Sequence, residues 1–341
     1  MKKIVIALAL SAMTIPALAL DKMPEEAGFS GFVNLGAGGG SVESNFLARI
    51  SGMDLDLSDD TIYSLDSPDE KDIFMPTIGL SVGYTFSNLK TRVSLGNDLA
   101  DFLQFDRATL LALRHDFDSI GNIQLAFLNS SLAATEVWAD PYLTGASRKN
   151  TDSDSSGGRI TWDKIFGSNF ELKLTARKKE IDDEFSGQSL LESGQLSAAQ
   201  VQLLDREGDI TRAELGYMFN LENGKHLIRP SVSYIDRDLD GDAMSQDGVE
   251  LGLSYAYSTS DVRWVSNLSY NKLDGDAVNP IFGQVNDADT YGISSQLFFP
   301  GLFGLEKWTP NLSVAWGEQD SDIDFNDTSV WVVSAAMFRR F

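Results

Sequence analysis

Apolar and polar residues alternate along most of this chain, in segments of roughly 9 to 11 residues separated by turns or acidic stretches. Between residues 77 and 86, Ile78, Leu80, Val82, Tyr84 and Phe86 face one way, and Thr77, Gly79, Ser81, Gly83 and Thr85 the other. Residues 28–40 place Phe29, Val33, Leu35 and Ala37 opposite Ser30, Asn34 and Gly36. Phe170, Leu172, Leu174 and Ala176 alternate with Glu171, Lys173, Thr175 and Arg177. Ala213, Leu215, Tyr217 and Phe219 alternate with Arg212, Glu214, Gly216 and Met218. A strand with charges on one face and an unbroken apolar face on the other has no place in a soluble core. It fits an all-β transmembrane antiparallel barrel with lipid outside and a wet lumen inside.

Strands beginning near residues 28, 73, 91, 107, 120, 158, 169, 210, 226, 248, 261, 289, 307 and 328 give an up-and-down barrel of about fourteen. Residues 108–113 are apolar on both faces and leave the register open, so twelve or sixteen strands are alternatives. Short turns near residues 88–90, 116–121, 166–169, 221–225, 258–261 and 300–306 alternate with longer acidic loops. That asymmetry puts the turns in the periplasm and the loops outside.

Residues 1–19 read as a signal peptide: Lys2 and Lys3, an apolar run from Ile4 to Ile15, then Ala17-Leu18-Ala19 as a cleavage site. The run is too short for a spanning helix, which needs about 20 apolar residues, and Pro16 ends it. Residues 20–341 then form one exported barrel domain bound for the bacterial outer membrane. About eight residues precede the first strand, too few for an N-terminal plug. The chain holds 50 acidic against 27 basic residues, a formal net charge of −23, which repels nucleic acid. It has no cysteine, hence no disulfide or thiolate site.

Candidate chemistry lies on the inward faces. Arg159, Arg177 and Arg212, with Arg107 as a further candidate, fall toward the outer ends of their strands. Glu171, Glu214 and Glu250 lie deeper, and Arg229 and Arg263 approach from the periplasmic half. Opposed basic and acidic lumen residues select solutes by charge; the alternative is an ionic network that braces the wall. Residues 178–209 and 129–157 are long enough to fold inward or to form an external lid. The first carries a short helical pattern with Ser197 and Gln200 as capping box, and Leu196, Ala199, Leu203 and Leu204 as its apolar face. Trp138 and Tyr142 raise the idea of an external aromatic slide for sugars. Asp236, Asp238, Asp240, Gly241, Asp242 and Asp247 match the spacing of a calcium loop without flanking helices, the alternative being a solvated acidic surface. No other cofactor is expected. The two histidines, His115 and His226, fall at periplasmic strand ends without a catalytic constellation.

The signal peptide, acidic loops, glycine-rich first strand and the ending Ser334-Ala335-Ala336-Met337-Phe338-Arg339-Arg340-Phe341 resemble outer-membrane barrels with a C-terminal aromatic. In length and layout the chain resembles an uncharacterised, porin-like proteobacterial family known as a domain of unknown function. The resemblance implies fold and location. Phe341 is then the residue read by the barrel-assembly machinery, and Arg339 departs from the aromatic or aliphatic residue usual on that face. The expected role is passive diffusion of small hydrophilic solutes, among partners that include outer-membrane lipid and lipopolysaccharide. The alternative is a surface-structural or adhesion barrel whose acidic loops bind divalent cations or a partner.

Overall fold

The computed structural model describes residues 23–24, 26–50, 55–97, 109–130 and 135–341. The expected cleavage site, and Arg107, lie outside these. Fourteen strands make the wall: β1 (Gly28–Glu43), β2 (Glu70–Thr85), β3 (Thr91–Asn97), β4 (Thr109–Asp116), β5 (Asn122–Asn129), β6 (Asn150–Asp163) and β7 (Phe170–Ile181). After them come β8 (Gly208–Tyr217, continued by Phe219–Leu221), β9 (His226–Leu239), β10 (Gln246–Ser258), β11 (Arg263–Gly275), β12 (Ala288–Phe298), β13 (Thr309–Ser321) and β14 (Thr328–Arg340). Each pairs antiparallel with the next, and β1 pairs with both β2 and β14, so the sheet closes on itself. Closure leaves no edge, the condition for a sheet to stand in hydrocarbon.

Alternation settles which face meets lipid. Leu80, Leu113, Leu125, Leu251, Leu268 and Leu312 are exposed on the outer surface. In water such a belt would be an aggregation surface; against acyl chains it is the favoured state. Tyr234, Tyr270, Tyr291, Trp316 and Trp331 ring its outer margin, and Phe86, Phe117, Phe166, Trp264 and Phe303 its periplasmic margin. The Tyr234 hydroxyl donates to Asp247 Oδ2 at 3.0 Å and the Tyr270 hydroxyl to Asp289 Oδ1 at 2.7 Å, marking where wall passes from lipid to water. The ambiguous segment resolves with Leu111 and Leu113 outward and Arg114 inward.

Two boundaries differ from the sequence expectation. β6 starts at Asn150, so the polar run 151–157 is strand rather than loop. It is held there by ladders to β7 on one side and to the short strand Thr135–Trp138 on the other. Backbone pairing, indifferent to side-chain polarity, decides this above the lipid belt. The loop between β1 and β2 adds the strands Leu47–Ile50 and Leu55–Asp56, the former paired with Thr135–Trp138. Its Ile50 and Leu57 pack on Val42, Ile73 and Met75 of the inner wall.

The β1–β14 seam depends on glycine. A Cβ at Gly40 would lie 1.8 Å from the Trp331 carbonyl oxygen, and one at Gly36 would lie 2.2 Å from that of Ala335. At Gly39 the nearest atom is 3.4 Å away. The seam ends where Phe341 and Gly31 exchange backbone hydrogen bonds of 2.9 and 3.1 Å. Gly36→Val should therefore block closure, and Gly39→Ala should not. Heat-modifiable migration of unboiled protein on gels reads this: a folded fraction at least several-fold lower for Gly36→Val is expected. Equal folded fractions would remove the steric account.

Candidate functional site

The inward faces of β6 to β10 carry most of the lumen's charge. Register sets Lys173 opposite Glu214, and Ser233 opposite both Glu214 and Glu250. Around that row Arg212 bonds Glu214 at 2.9 Å and Glu250 at 2.5 Å, while Arg229 reaches Glu171 at 2.6 Å and also binds Glu214. Lys173 sits 3.2 Å from Glu171 and 3.6 Å from Glu214. Three carboxylates meet three cations, so the network is charge-balanced. Removing one partner from a buried set of this kind costs about 3–5 kcal/mol, because the other charge stays behind. Nearer the periplasm, inward side chains pair along the wall. Arg114 pairs with Asp163 at 2.5 Å, Asn311 donates to Asn34 Oδ1 at 2.9 Å, and Phe32, Phe298 and Phe338 cluster.

Above the network lies a cavity of about 500 Å³. Arg159, Arg177, Arg212, Glu214 and Glu250, all singled out in the sequence, line it together with Lys173, Lys179 and Arg237. Glu171 stands below, on Arg229. Arg263 does not join them. It is the first residue of β11, exposed at the periplasmic rim opposite Ser258 and Phe298, eight residues along the strand from Asn271, the partner of Glu250.

The outer mouth carries a lid, the external alternative open to residues 129–157 and 178–209, built with residues that sequence reading did not bring together. Tyr142, Leu196, Leu204, Ile323 and Phe325 are buried together, with Phe46, Ile62, Leu65, Val201, Ile281 and Phe282 against them. These residues come from five loops. Tyr142 stacks on Phe325 with centroids 5.3 Å apart, and burial pushes its phenol well above the usual value. Arg148 ties the loops by donating to the carbonyls of Asn45, Pro141 and Asp59, and burial lowers its guanidinium to about 10. Arg206 grips Glu184 at 2.6 Å and the Trp138 carbonyl at 2.8 Å. Two helices, α1 (Gln188–Glu192) and α2 (Ala198–Gln202), belong to the lid, and the Ser197 N–H donates to Gln200 Oε1 at 3.0 Å as its spacing implied. The apolar face differs: Ala199 is exposed and Val201 takes its place. Trp138 is 6% exposed, with its indole N–H on Ser58 Oγ, and Tyr142 is fully buried, so neither offers an external slide. The available signal was the scatter of single aromatics in otherwise acidic loops.

The calcium-loop spacing does not become a cage. Asp236 and Asp238 point outward from β9, Asp247 faces outward from β10 as cross-strand partner of Asp236, and Asp240 and Asp242 lie exposed in the turn. Among the described residues no three His, Cys, Asp or Glu side chains gather at ligating distance. Both histidines stand at periplasmic strand ends. His115 Nδ1 is 2.8 Å from Thr91 Oγ1, and His226 Nδ1 is 2.8 Å from the Tyr255 hydroxyl, with Glu222 at 3.8 Å from its Nε2.

Among proteins with curated descriptions none matches the chain. Solved structures with a similar course include a loop-deleted OmpT, an outer membrane protein of Vibrio cholerae (8% identity, 92% of this chain and 100% of that one, TM-score 0.40). The CymD monoaromatic hydrocarbon channel is similar at 9% identity over 96% and 93%, TM-score 0.48. The outer membrane channel DcaP of Acinetobacter baumannii is similar at 10% identity over 93% and 97%, TM-score 0.46. At such identities the likeness concerns the fold alone. The family model described as a protein of unknown function, DUF2860, matches residues 28–338, and the chain belongs to that family.

Proposed function

We propose that this chain is a channel of the bacterial outer membrane through which small hydrophilic solutes diffuse passively, with the outer loops as its gate. The observation that carries this reading is the cavity of about 500 Å³ inside the wall, between opposed charged side chains and a separable lid. A barrel that merely presented loops would have no need of a hydrated, charge-lined chamber. Fourteen strands stand between the roughly eight whose interior side chains fill and the 16 to 18 that leave an open aqueous channel. Lid and lower side chains therefore set the passage here. Arg159, Arg177, Arg212, Glu171, Glu214 and Glu250 are its pore residues in this reading. Lipid and lipopolysaccharide surround it, and the assembly machinery reads Phe341. Diffusion through it needs no covalent chemistry, cofactor or energy source.

Single-channel recording in planar bilayers tests the proposal. The wild type should show discrete steps with long closures. Phe325→Ala with Tyr142→Ala removes the stacked pair, and truncations of this size in a packed core cost about 3–5 kcal/mol each. That variant should raise open probability at least several-fold without altering the conductance of the open state. A complete lack of steps from both folded proteins would overturn the channel reading.

Selectivity gives a second measurement. Arg177→Glu, which reverses a charge on the cavity wall away from the balanced network, should shift the reversal potential toward cation preference in a salt gradient. An unchanged potential would show that Arg177 does not face the conducting path.

A further inference from the structure

We propose that the chamber beneath the lid binds a small organic anion, a carboxylate carried on a compact apolar body, between Lys179 and Arg237. Register places Arg177 opposite Ile210, and Ile210 opposite Arg237, in one row across β7, β8 and β9. Strands lie about 4.8 Å apart, so the two arginine backbones stand about 10 Å apart with Ile210 between them. Lys179 is two residues above Arg177 on the same face, about 7 Å further out. All four residues line the cavity. The row thus offers cations around an apolar pad.

The glutamates nearest the row are already engaged. Glu184 is held by Arg206 at 2.6 Å, Glu207 Oε1 accepts the Ile181 N–H at 2.9 Å, and Glu250 is held by Arg212 at 2.5 Å. Among the described residues Lys179 makes no hydrogen bond or ion pair, and the Arg237 side chain bonds only Gln246 Oε1, at 3.0 Å. Lys179 lies near Arg206 and Arg237 as like charges, and near Glu184 and Glu207, which are committed elsewhere, as opposite ones. Lys179 and Arg237, cations without an ion-pair partner, are costly away from bulk water, and a bound anion offsets that cost. The chain's overall charge of −23 repels anions at long range, so the attraction is local to this row.

Phe46, Leu47, Val137 and Met244 add apolar surface to the same cavity. The rest of the lining is largely polar, so these few apolar side chains beside the cations suit a small molecule with one charged end and a compact apolar body. Bare inorganic phosphate would meet the cations and leave that apolar surface unused. As a statement about transport this inference rests on the channel reading; as a statement about binding it does not, so the two fail separately.

Benzoate, its neutral analogue benzyl alcohol, and inorganic phosphate are the probes, titrated calorimetrically into the full chain folded in detergent. Benzoate should bind at least ten-fold more tightly than either of the others. Lys179→Gln with Arg237→Gln should weaken benzoate at least ten-fold and leave benzyl alcohol unchanged, with heat-modifiable migration confirming the fold. Should the double variant fail to fold, Lys179→Gln alone, near the outer end of β7, serves the same comparison, and Lys179→Arg should restore benzoate affinity. Benzoate affinity unchanged in the folded variant, or no benzoate binding to the wild type, would overturn the proposal. Phosphate or benzyl alcohol binding as tightly as benzoate would overturn it too. Benzoate binding without conductance would leave this site standing and remove the channel, whereas conductance without benzoate binding would do the reverse.

Discussion

The rest of the structure depends on the need of every wall amide to find a partner without water. In hydrocarbon an unpaired N–H or C=O costs several kcal/mol, so the sheet has to close. The closing seam joins β1 to β14, where twelve residue pairs run from Phe32–Arg340 to Glu43–Ser329. Gly36 and Gly40 permit the close approach there, and the backbone of Phe341 completes it at Gly31. Once the ring is closed, each strand has one face on lipid and one in the lumen, and the two-residue period of the chain does the rest.

Closure creates the electrostatic problem that the lumen solves. Charged side chains facing inward are partly removed from water, where an isolated charge is expensive. In the middle of the barrel Glu171, Glu214 and Glu250 are matched by Lys173, Arg212 and Arg229, and this part is firm. One level further out, Lys179 and Arg237 have no ion pair with a carboxylate. The same wall thus has a braced level and a receptive level, set apart by which carboxylates the strands place at each height.

The lid is a different kind of object. It is a small apolar core assembled from loops, separate from the lipid belt and held by arginines that donate to backbone carbonyls. Its stability comes from burial of Tyr142, Phe325 and their neighbours, on the order of 1.5–3 kcal/mol for each large side chain. Wall closure does not require it, so the lid can open while the barrel stays intact.

The strands, their inward and outward faces and the fourteen-fold count were legible in the sequence. Each follows from a local two-residue period or from turn length. The alternation also put Arg177, Arg212, Glu171, Glu214 and Glu250 on one face. It did not show which of them would meet, because pairs such as Arg229 with Glu171 depend on three strands coming into register. Arg263 shows the limit: its parity is inward, yet its height puts it at the rim. The acidic spacing from Asp236 to Asp247 looked like a metal loop because a sequence has no inside and outside at a hairpin; the fold sends Asp236, Asp238 and Asp247 toward the membrane surface. The lid was the least legible part, since its aromatics lie far apart in sequence and have no period. Local pattern by itself determined a barrel and its faces; only the tertiary structure decided which charges neutralise one another and which loops close the mouth, because both depend on contacts between residues that sequence distance does not relate.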